Sequence, residues 1–394
     1  MLPVFLKERV DRFYEQRLGR HGGQNVFNGR IPGPDAVLLN GNDYLNLSRH
    51  PAIVEAQVTE LRRAGSGPQM SAVFLNEIDG DCTRTQARLA AFTNMEAAVL
   101  CQSGYAANVG LVQAIADRRR PVYLDRFAHM SLWEGARSAG ARARMFLHNR
   151  PEHLADRVRR FGPGTIIVDA LYSAVGTIAP LREIARIATE SGSTLVVDES
   201  HSLGLYGPGG AGLVAELGLS DDVDFITASL AKAFASRAGL ICGPRRVLSY
   251  FPWESRHAIF STMLEPHDIA RIAATLEVVQ REAWRCERVH ANAAVLRNHL
   301  ILEGYECAAI SASPIIALIA GSEENTVLLR DSLEAHEVFG AVFVQPTTPP
   351  ERSLLRLSVH AGLSISHLER VCYALSSVRD TVRPGDWPDP WARS

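Results

Sequence analysis

Three consecutive segments, TIIVD (Thr165–Asp169), LREIARIATE (Leu181–Glu190) and TLVVD (Thr194–Asp198), decide the fold. The two short runs are rich in Val and Ile without polar alternation, the pattern of strands covered on both faces. The segment between them repeats apolar residues at helical spacing. Strand, helix and strand in that order make a crossover unit, and such units build parallel sheets. Working outward, AAVLC (Ala97–Cys101), VYLD (Val122–Asp125), DFITA (Asp224–Ala228) and GLIC (Gly239–Cys242) are further candidate strands. An α/β chain with a mostly parallel, doubly wound sheet is predicted.

The end of the chain reads differently. Pro314–Ile319, a helix near Glu324–His336, Gly340–Val344, Leu354–Val359 and a helix from Ser366 predict a smaller α/β domain. The stretch from about 265 to 300, poor in Gly and Pro, predicts one helix joining the two parts. A chain of 394 residues accommodates more than one core. The expected division is an N-terminal helix and segment (1–50), a large domain (51–285) and a C-terminal small domain (286–394).

Composition narrows the classes. With 41 basic against 43 acidic side chains, nothing electrostatic suggests nucleic acid or an anionic membrane as partner. The run Arg118–Arg120 reads as a solvated loop. Cysteines stand at 82, 101, 242, 286, 307 and 372 without a C-x-x-C pair, so neither a metal site nor a disulfide framework is suggested. Reduced thiols fit a cytoplasmic protein. Met1–Lys7 opens an amphipathic helix rather than a signal peptide, and no apolar run reaches the ~18 residues of a membrane span.

Ligands of open α/β sheets bind beyond the carboxyl ends of the strands, so polar residues there come first. Two strand ends run directly into titratable groups, Val197-Asp198-Glu199-Ser200-His201 and Thr227-Ala228-Ser229-Leu230-Ala231-Lys232. Lys232 sits in an apolar run, where desolvation lowers an amine's pKa and makes it nucleophilic. A carboxylate and a lysine together are what pyridoxal 5′-phosphate (PLP) requires, one at the pyridine nitrogen and one at the aldehyde carbon. Alone, Asp198 also suits a helix cap and Lys232 a surface position. Their joint placement after consecutive strands favours the cofactor.

Five motifs occur in order: N-D-Y-L-x-L (Asn42–Leu47), S-G-Y-A-A-N (Ser103–Asn108), D-x-x-x-H-x-S (Asp125–Ser131), D-E-S-H-S-x-G (Asp198–Gly204) and T-x-S-x-x-K ending at Lys232. From about residue 40 to 375 the chain resembles the α-oxoamine synthases, which are fold-type I PLP-dependent transferases with an aspartate aminotransferase-like fold. The resemblance implies that Lys232 carries PLP, Asp198 pairs with its ring nitrogen and His129 stacks on the ring near the reacting carbon. It implies that Ser103, Gly104 and Tyr105 offer backbone N–H groups to the phosphate, the job a helix N-terminus does well. Ser173 matches a serine near the ring hydroxyl, His201 a contact to the ring oxygen, and Ser229 a hydroxyl beside the phosphate. Ser261 and Thr262 resemble a phosphate contact supplied by a second subunit, hence a homodimer with the site at its interface. Arg356, with Asn42 nearby, matches the group that grips a substrate carboxylate, a task suited to a guanidinium fork. Asp169 is read as structural.

Phe127–Arg137, His201–Gly212 and Ala228–Gly239 are more distinctive. They resemble the synthases of long-chain aminoketone and hydroxyketone quorum-sensing autoinducers. Where oxoamine synthases commonly carry glycines around the lysine, Ala231, Ala233 and Ala235 occur here, and Gly65–Thr83 also departs from the biosynthetic pattern. The implied reaction joins a medium-chain acyl-CoA to S-adenosylmethionine or 2-aminobutyrate. Two rivals stay open: a biosynthetic oxoamine synthase, such as 8-amino-7-oxononanoate synthase or aminoketobutyrate CoA ligase, and an inactive PLP-fold regulatory subunit. Loss of the lysine would mark the second.

Overall fold

The computed structural model describes residues 2–19, 26–27, 29–67, 70–74, 80–305, 312–345, 347–349 and 351–387. Its strands, in chain order, are β1 (Val37–Leu38), β2 (Ala97–Cys101), β3 (Pro121–Asp125), β4 (Arg142–Phe146), β5 (Thr165–Asp169), β6 (Thr194–Asp198), β7 (Phe225–Ser229), β8 (Gly239–Gly243), β9 (Ile315–Gly321), β10 (Val338–Phe339), β11 (Ala341–Phe343) and β12 (Ser353–Ser358). A seven-stranded sheet has the order β2-β8-β7-β6-β5-β3-β4. Within it only β8 runs against its neighbours. The predicted parallel sheet is therefore present.

The reason lies in the alternation of side chains. Along β5, Ile166 and Val168 face one core and Ile167 the other; along β6, Leu195 and Val197 face one and Val196 the other. Both faces are covered, which is why these strands carry no polar alternation. The helix Leu181–Ser191 buries Leu181, Ile184, Ala185, Ile187 and Ala188, and stops at Gly192 in a left-handed cap at φ 65°. Fully burying one such aliphatic side chain stabilises by roughly 1.5–3 kcal/mol.

The predicted strands all occur, with Asp224–Ala228 displaced by one residue to Phe225–Ser229. Two features differ from expectation. RARMF (Arg142–Phe146) is an unpredicted strand at the sheet edge, with Arg142, Ala143 and Met145 exposed. An edge strand with one wet face carries no continuous apolar run. The single joining helix expected over 265–300 is two helices, Pro266–Arg281 and Trp284–Leu302. Glu282 leaves helical geometry (φ −110°, ψ 51°), and its carboxylate accepts from Arg281 and Arg285 and meets His50.

A further core lies toward the C-terminus. Antiparallel β11-β12-β9 packs with the helices Trp284–Leu302, Glu323–Glu334 and Ile365–Val382, and Val26, Val37 and Leu39 join the same core. β1 pairs in parallel with β10, tying this early segment down. The helix Val4–Arg17 leaves Val4, Phe5, Phe13 and Tyr14 exposed. Arg118–Arg120 lie on an exposed turn. Among the described residues no helix is long and apolar enough to cross a membrane, and no His, Cys, Asp and Glu cluster suits a metal. Parts of the distinctive Gly65–Thr83 stretch (68–69 and 75–79) and Cys307 lie outside the described residues.

Candidate active site

At their carboxyl ends, β2, β3, β5, β6 and β7 share one edge of the sheet, where the ligand cleft of such sheets opens. They deliver Ser103, Asp125, Asp169, Asp198 and Ser229 to that edge. Asp198, in register with Asp169, is 3% exposed. Its carboxylate accepts from Asn108 Nδ2 at 2.7 Å and from the Ser200 N–H at 2.8 Å. Asp169 accepts the His129 N–H at 3.1 Å, and burial, reinforced by the neighbouring Asp198, pushes its carboxyl well above the usual range. It therefore fixes the His129 backbone, the structural part assigned to it above.

His129 caps the helix Met130–Ser138 and opens onto the cleft. Asp125 accepts the Phe127 N–H and the Asn149 N–H and meets His148, which braces the turn leading to His129. Desolvation holds the His129 imidazole below its ordinary pKa, opposed by Asp198 and reinforced by Lys232. The Lys232 amine is likewise lowered, first by burial and then by the charge of Arg356, with Asp198 pulling the other way. The turn after Lys232 closes through the Ala235 N–H to the Lys232 carbonyl, with Ala235 at φ 44°. A left-handed alanine costs roughly 1–2 kcal/mol, so this turn keeps a conformation that glycine would adopt freely.

Ser103 is the N-cap of the helix Gly104–Ile115, its Oγ accepting from the Ala106 N–H. That leaves the first backbone N–H groups of Gly104 and Tyr105 at a helix N-terminus, a site that favours an anion. The turn is seated on the strand ends. A Cβ at Gly104 would lie 2.5 Å from Ser229 Cβ, and one at Gly239 would lie 2.1 Å from the Ser103 carbonyl oxygen. Ser229 is thus beside the turn, and its N–H donates to Ser200 Oγ. Ser261 donates to the His257 carbonyl, and the exposed Thr262 accepts through its carbonyl from Gln102 Nε2 of the same chain. Thr262 is thus joined to Gln102, the residue before Ser103, whereas Ser261 bonds within its own segment.

Arg356 is 5% exposed, yet it has no carboxylate partner among the described residues. Its Nη1 donates to the Ser173 carbonyl and its Nη2 to Asn42 Oδ1, each at 2.9 Å, while Nε is buried without a partner. The guanidinium lies over Phe343, 4.9 Å from the ring centroid. Along β12, Leu355 and Leu357 enter the C-terminal core, so alternation turns Arg356 toward the large sheet. A buried cation served only by neutral oxygens is prepared for an anion. Ser173 reaches this arginine through its backbone. His201 is buried, its imidazole held well below the ordinary pKa by burial and by Lys232, Arg356 and His129.

Beside His129 and Ser173 opens a cavity of about 510 Å³, walled by Phe127, Met130, Trp133, Val175, Ile319, Phe343 and Leu354. Its lining includes Arg126 and Arg352 and no Asp or Glu. A cleft with cations at the half-buried Lys232 and the buried Arg356, a buried Asp198 and an apolar annex suits a phosphate, a carboxylate and a hydrocarbon chain. These residues are of the types PLP requires: Lys232 would meet its aldehyde, Asp198 its ring nitrogen, and the N-terminus of the Gly104–Ile115 helix its phosphate.

Four site residues carried no role in the sequence reading. Tyr44, buried and pushed up to about 12 by desolvation, meets His201 Nδ1 at 2.8 Å. Asn108 and Ser131 join Asp198 to His129. All three, like Glu199, stand inside the quoted motifs, which was the only signal available. The fourth, Glu199, is fully buried and accepts from the Leu213 N–H (3.0 Å), the Val214 N–H (2.7 Å) and the Ser202 hydroxyl, pinning the loop that carries His201. Truncation to alanine strands those donors, and a loss of about 3 kcal/mol in chemical denaturation is expected. Burial raises the Glu199 carboxyl from 4.5 to about 7 against those three donors. A native pKa above the unfolded one favours folding of the protonated form. This contribution is full below pH 4.5 and is lost as pH rises through about 7. Glu199→Gln should flatten that part of the stability–pH curve.

Residues 34–375 match the pattern described as aminotransferase class I and II. The chain is 42% identical to a CAI-1 autoinducer synthase of Vibrio campbellii, with 95% of this chain and 94% of that protein covered. It is 34% identical to a putative 8-amino-7-oxononanoate synthase 2 of Mycobacterium tuberculosis over 95% of its own length, and spans 50% of that longer protein. Its fold is similar to a serine palmitoyltransferase from S. paucimobilis described with bound PLP and myriocin, at TM-score 0.89 and 24% identity, covering 97% of this chain and 100% of the other. The chain belongs to the aminotransferase class I and II family.

Proposed function

We propose that this chain is a PLP-dependent acyltransferase that condenses a medium-chain acyl-CoA with S-adenosylmethionine or 2-aminobutyrate to make a long-chain aminoketone autoinducer. The observation that carries the reading is the convergence of Lys232, Asp198, His129 and Arg356 beside a cavity with apolar walls and no Asp or Glu in its lining. The 42% identity to a CAI-1 autoinducer synthase supports the signalling product over a biosynthetic one.

When bound, PLP supplies an electron sink for the bond-breaking at the donor's Cα. Arg356 and Asn42 hold the donor carboxylate. Lys232, its amine partly unprotonated through burial, takes the proton from Cα. The new bond joins Cα to the thioester carbonyl carbon and the CoA thiolate leaves. The condensed product then loses its carboxylate as CO2. With S-adenosylmethionine as donor, the sulfonium side chain leaves as methylthioadenosine by elimination before the acylation, so that product carries an extra double bond. The cavity takes the acyl chain out of water. Incubation with decanoyl-CoA and individual donors, read by mass spectrometry, tests the proposal. Product from glycine or alanine alone would remove it in favour of a biosynthetic oxoamine synthase.

A cytoplasmic homodimer, with Ser261 and Thr262 lent to the partner's phosphate site, belongs to this reading. So does the division of the chain at residues 50 and 285. The exposed apolar residues Met70, Phe74, Tyr250, Trp253 and Phe260 support an interface on that side, since the short helix Ala72–Phe74 packs against Arg245–Glu254 and Arg256–Ile259.

Trp133 follows His129 by one helical turn and walls the cavity. Trp133→Ala is expected to move the acyl preference to longer chains. At about 0.8 kcal/mol per buried CH2, the ratio of kcat/KM for a chain two carbons longer should rise about tenfold. A chain-length series with no change would take the cavity out of acyl selection.

A further inference from the structure

The Asn108 side chain commits both of its amide protons to buried partners. It is 2% exposed on the helix Gly104–Ile115. Its Nδ2 gives one proton to Asp198 Oδ2 at 2.7 Å and the other to Ser131 Oγ at 2.9 Å. Its Oδ1 is buried with no partner. The opposite amide orientation would set that oxygen against the Asp198 carboxylate, so the acid determines which way the amide points.

Direction then passes along the chain of hydrogen bonds. Ser131 Oγ accepts from Asn108, so its own proton goes to the other neighbour, His129 Nδ1 at 2.7 Å. The Ser131 backbone N–H also donates to Nδ1, at 3.3 Å. Two donors converge on that nitrogen, which must present its lone pair. The ring proton is left on Nε2.

We infer that Asn108 and Ser131 are positioning residues that let the Asp198 carboxylate fix His129 in its Nε2–H form. The buried acid thereby sets the cofactor's ring nitrogen and, three hydrogen bonds away, the proton-bearing edge of the imidazole that lines the substrate cavity. This deepens the proposed function and rests on it for the role of His129, whereas the tautomer itself is a property of the chain.

The test uses full-length, PLP-loaded protein with ¹⁵N-labelled imidazoles, its His129 signals assigned by loss in His129→Gln. Long-range ¹H–¹⁵N correlations should show the Nε2–H form in the unaltered protein and in Ser131→Thr. Ser131→Ala and Asn108→Ala should show a mixture with the Nδ1–H form, although Asn108 does not touch the ring. Turnover in those two variants should fall about tenfold or more with KM for acyl-CoA little changed, as for lost groups that orient a functional side chain. An Nδ1–H form in the unaltered protein would overturn the inference. So would an unchanged tautomer in a folded Asn108→Ala protein that still binds PLP. If Asn108→Ala does not fold, Ser131→Ala against Ser131→Thr decides, and identical tautomers in the pair overturn it. The readout needs no turnover, so it stands apart from the product assay that tests the function.

Discussion

Lys232→Ala is expected to eliminate the visible absorbance of protein-bound PLP and to cut product formation by at least about a thousandfold. The size of the effect follows from the setting of the amine. Burial and the nearby Arg356 guanidinium depress its pKa, so more of it is unprotonated at neutral pH than for a surface lysine. Asp198 opposes that shift without cancelling it. Stability should change little, because the side chain is only half-buried and the Ala235-to-Lys232 turn is made by backbone atoms. An absorbance spectrum of the reconstituted protein and a condensation assay check both halves. Persistence of the band in the variant would remove the central assignment and revive the reading of an inactive fold.

Arg356→Leu should lower kcat/KM for the amino donor by about a hundredfold or more, the range of a lost bidentate ion pair. Arg356→Lys keeps the charge but not the fork, and an intermediate loss is expected. The guanidinium already meets Asn42 and the Ser173 carbonyl, so both variants leave those oxygens short of a donor. A thermal melt separates that structural cost from the kinetic one. The deciding comparison is between substrates: KM for the donor should move while KM for the acyl thioester stays within about twofold. An equal effect on both would mean that Arg356 holds the cleft together and does not grip the donor.

These two predictions rest on residues of different legibility. Asp198 and Lys232 were readable because the first ends an apolar strand and the second follows one by three residues, where a titratable group has no burial partner in its own element. Arg356 was readable only through its resemblance to a family motif. Its meaning became physical once β12 was seen to turn it away from Leu355 and Leu357 and toward Asn42, 314 residues distant in the chain. Tyr44 reaches His201 across 157 residues, and Asn108 reaches Asp198 across 90. No local pattern encodes such pairs.

The sequence by itself determined the parallel sheet. Unbroken Val and Ile runs in TIIVD and TLVVD are tolerated only where both strand faces are covered, and the amphipathic segment between them supplies the cover. It also determined which side chains stand at the strand ends. Tertiary structure decided what was not periodic: the wet edge strand RARMF, the break at Glu282, and the chain of directed hydrogen bonds linking Asp198 through Asn108 and Ser131 to His129. Burial patterns repeat along a chain and leave a local trace. Hydrogen-bond direction depends on which groups meet across the fold, and that is fixed only when the strand ends converge.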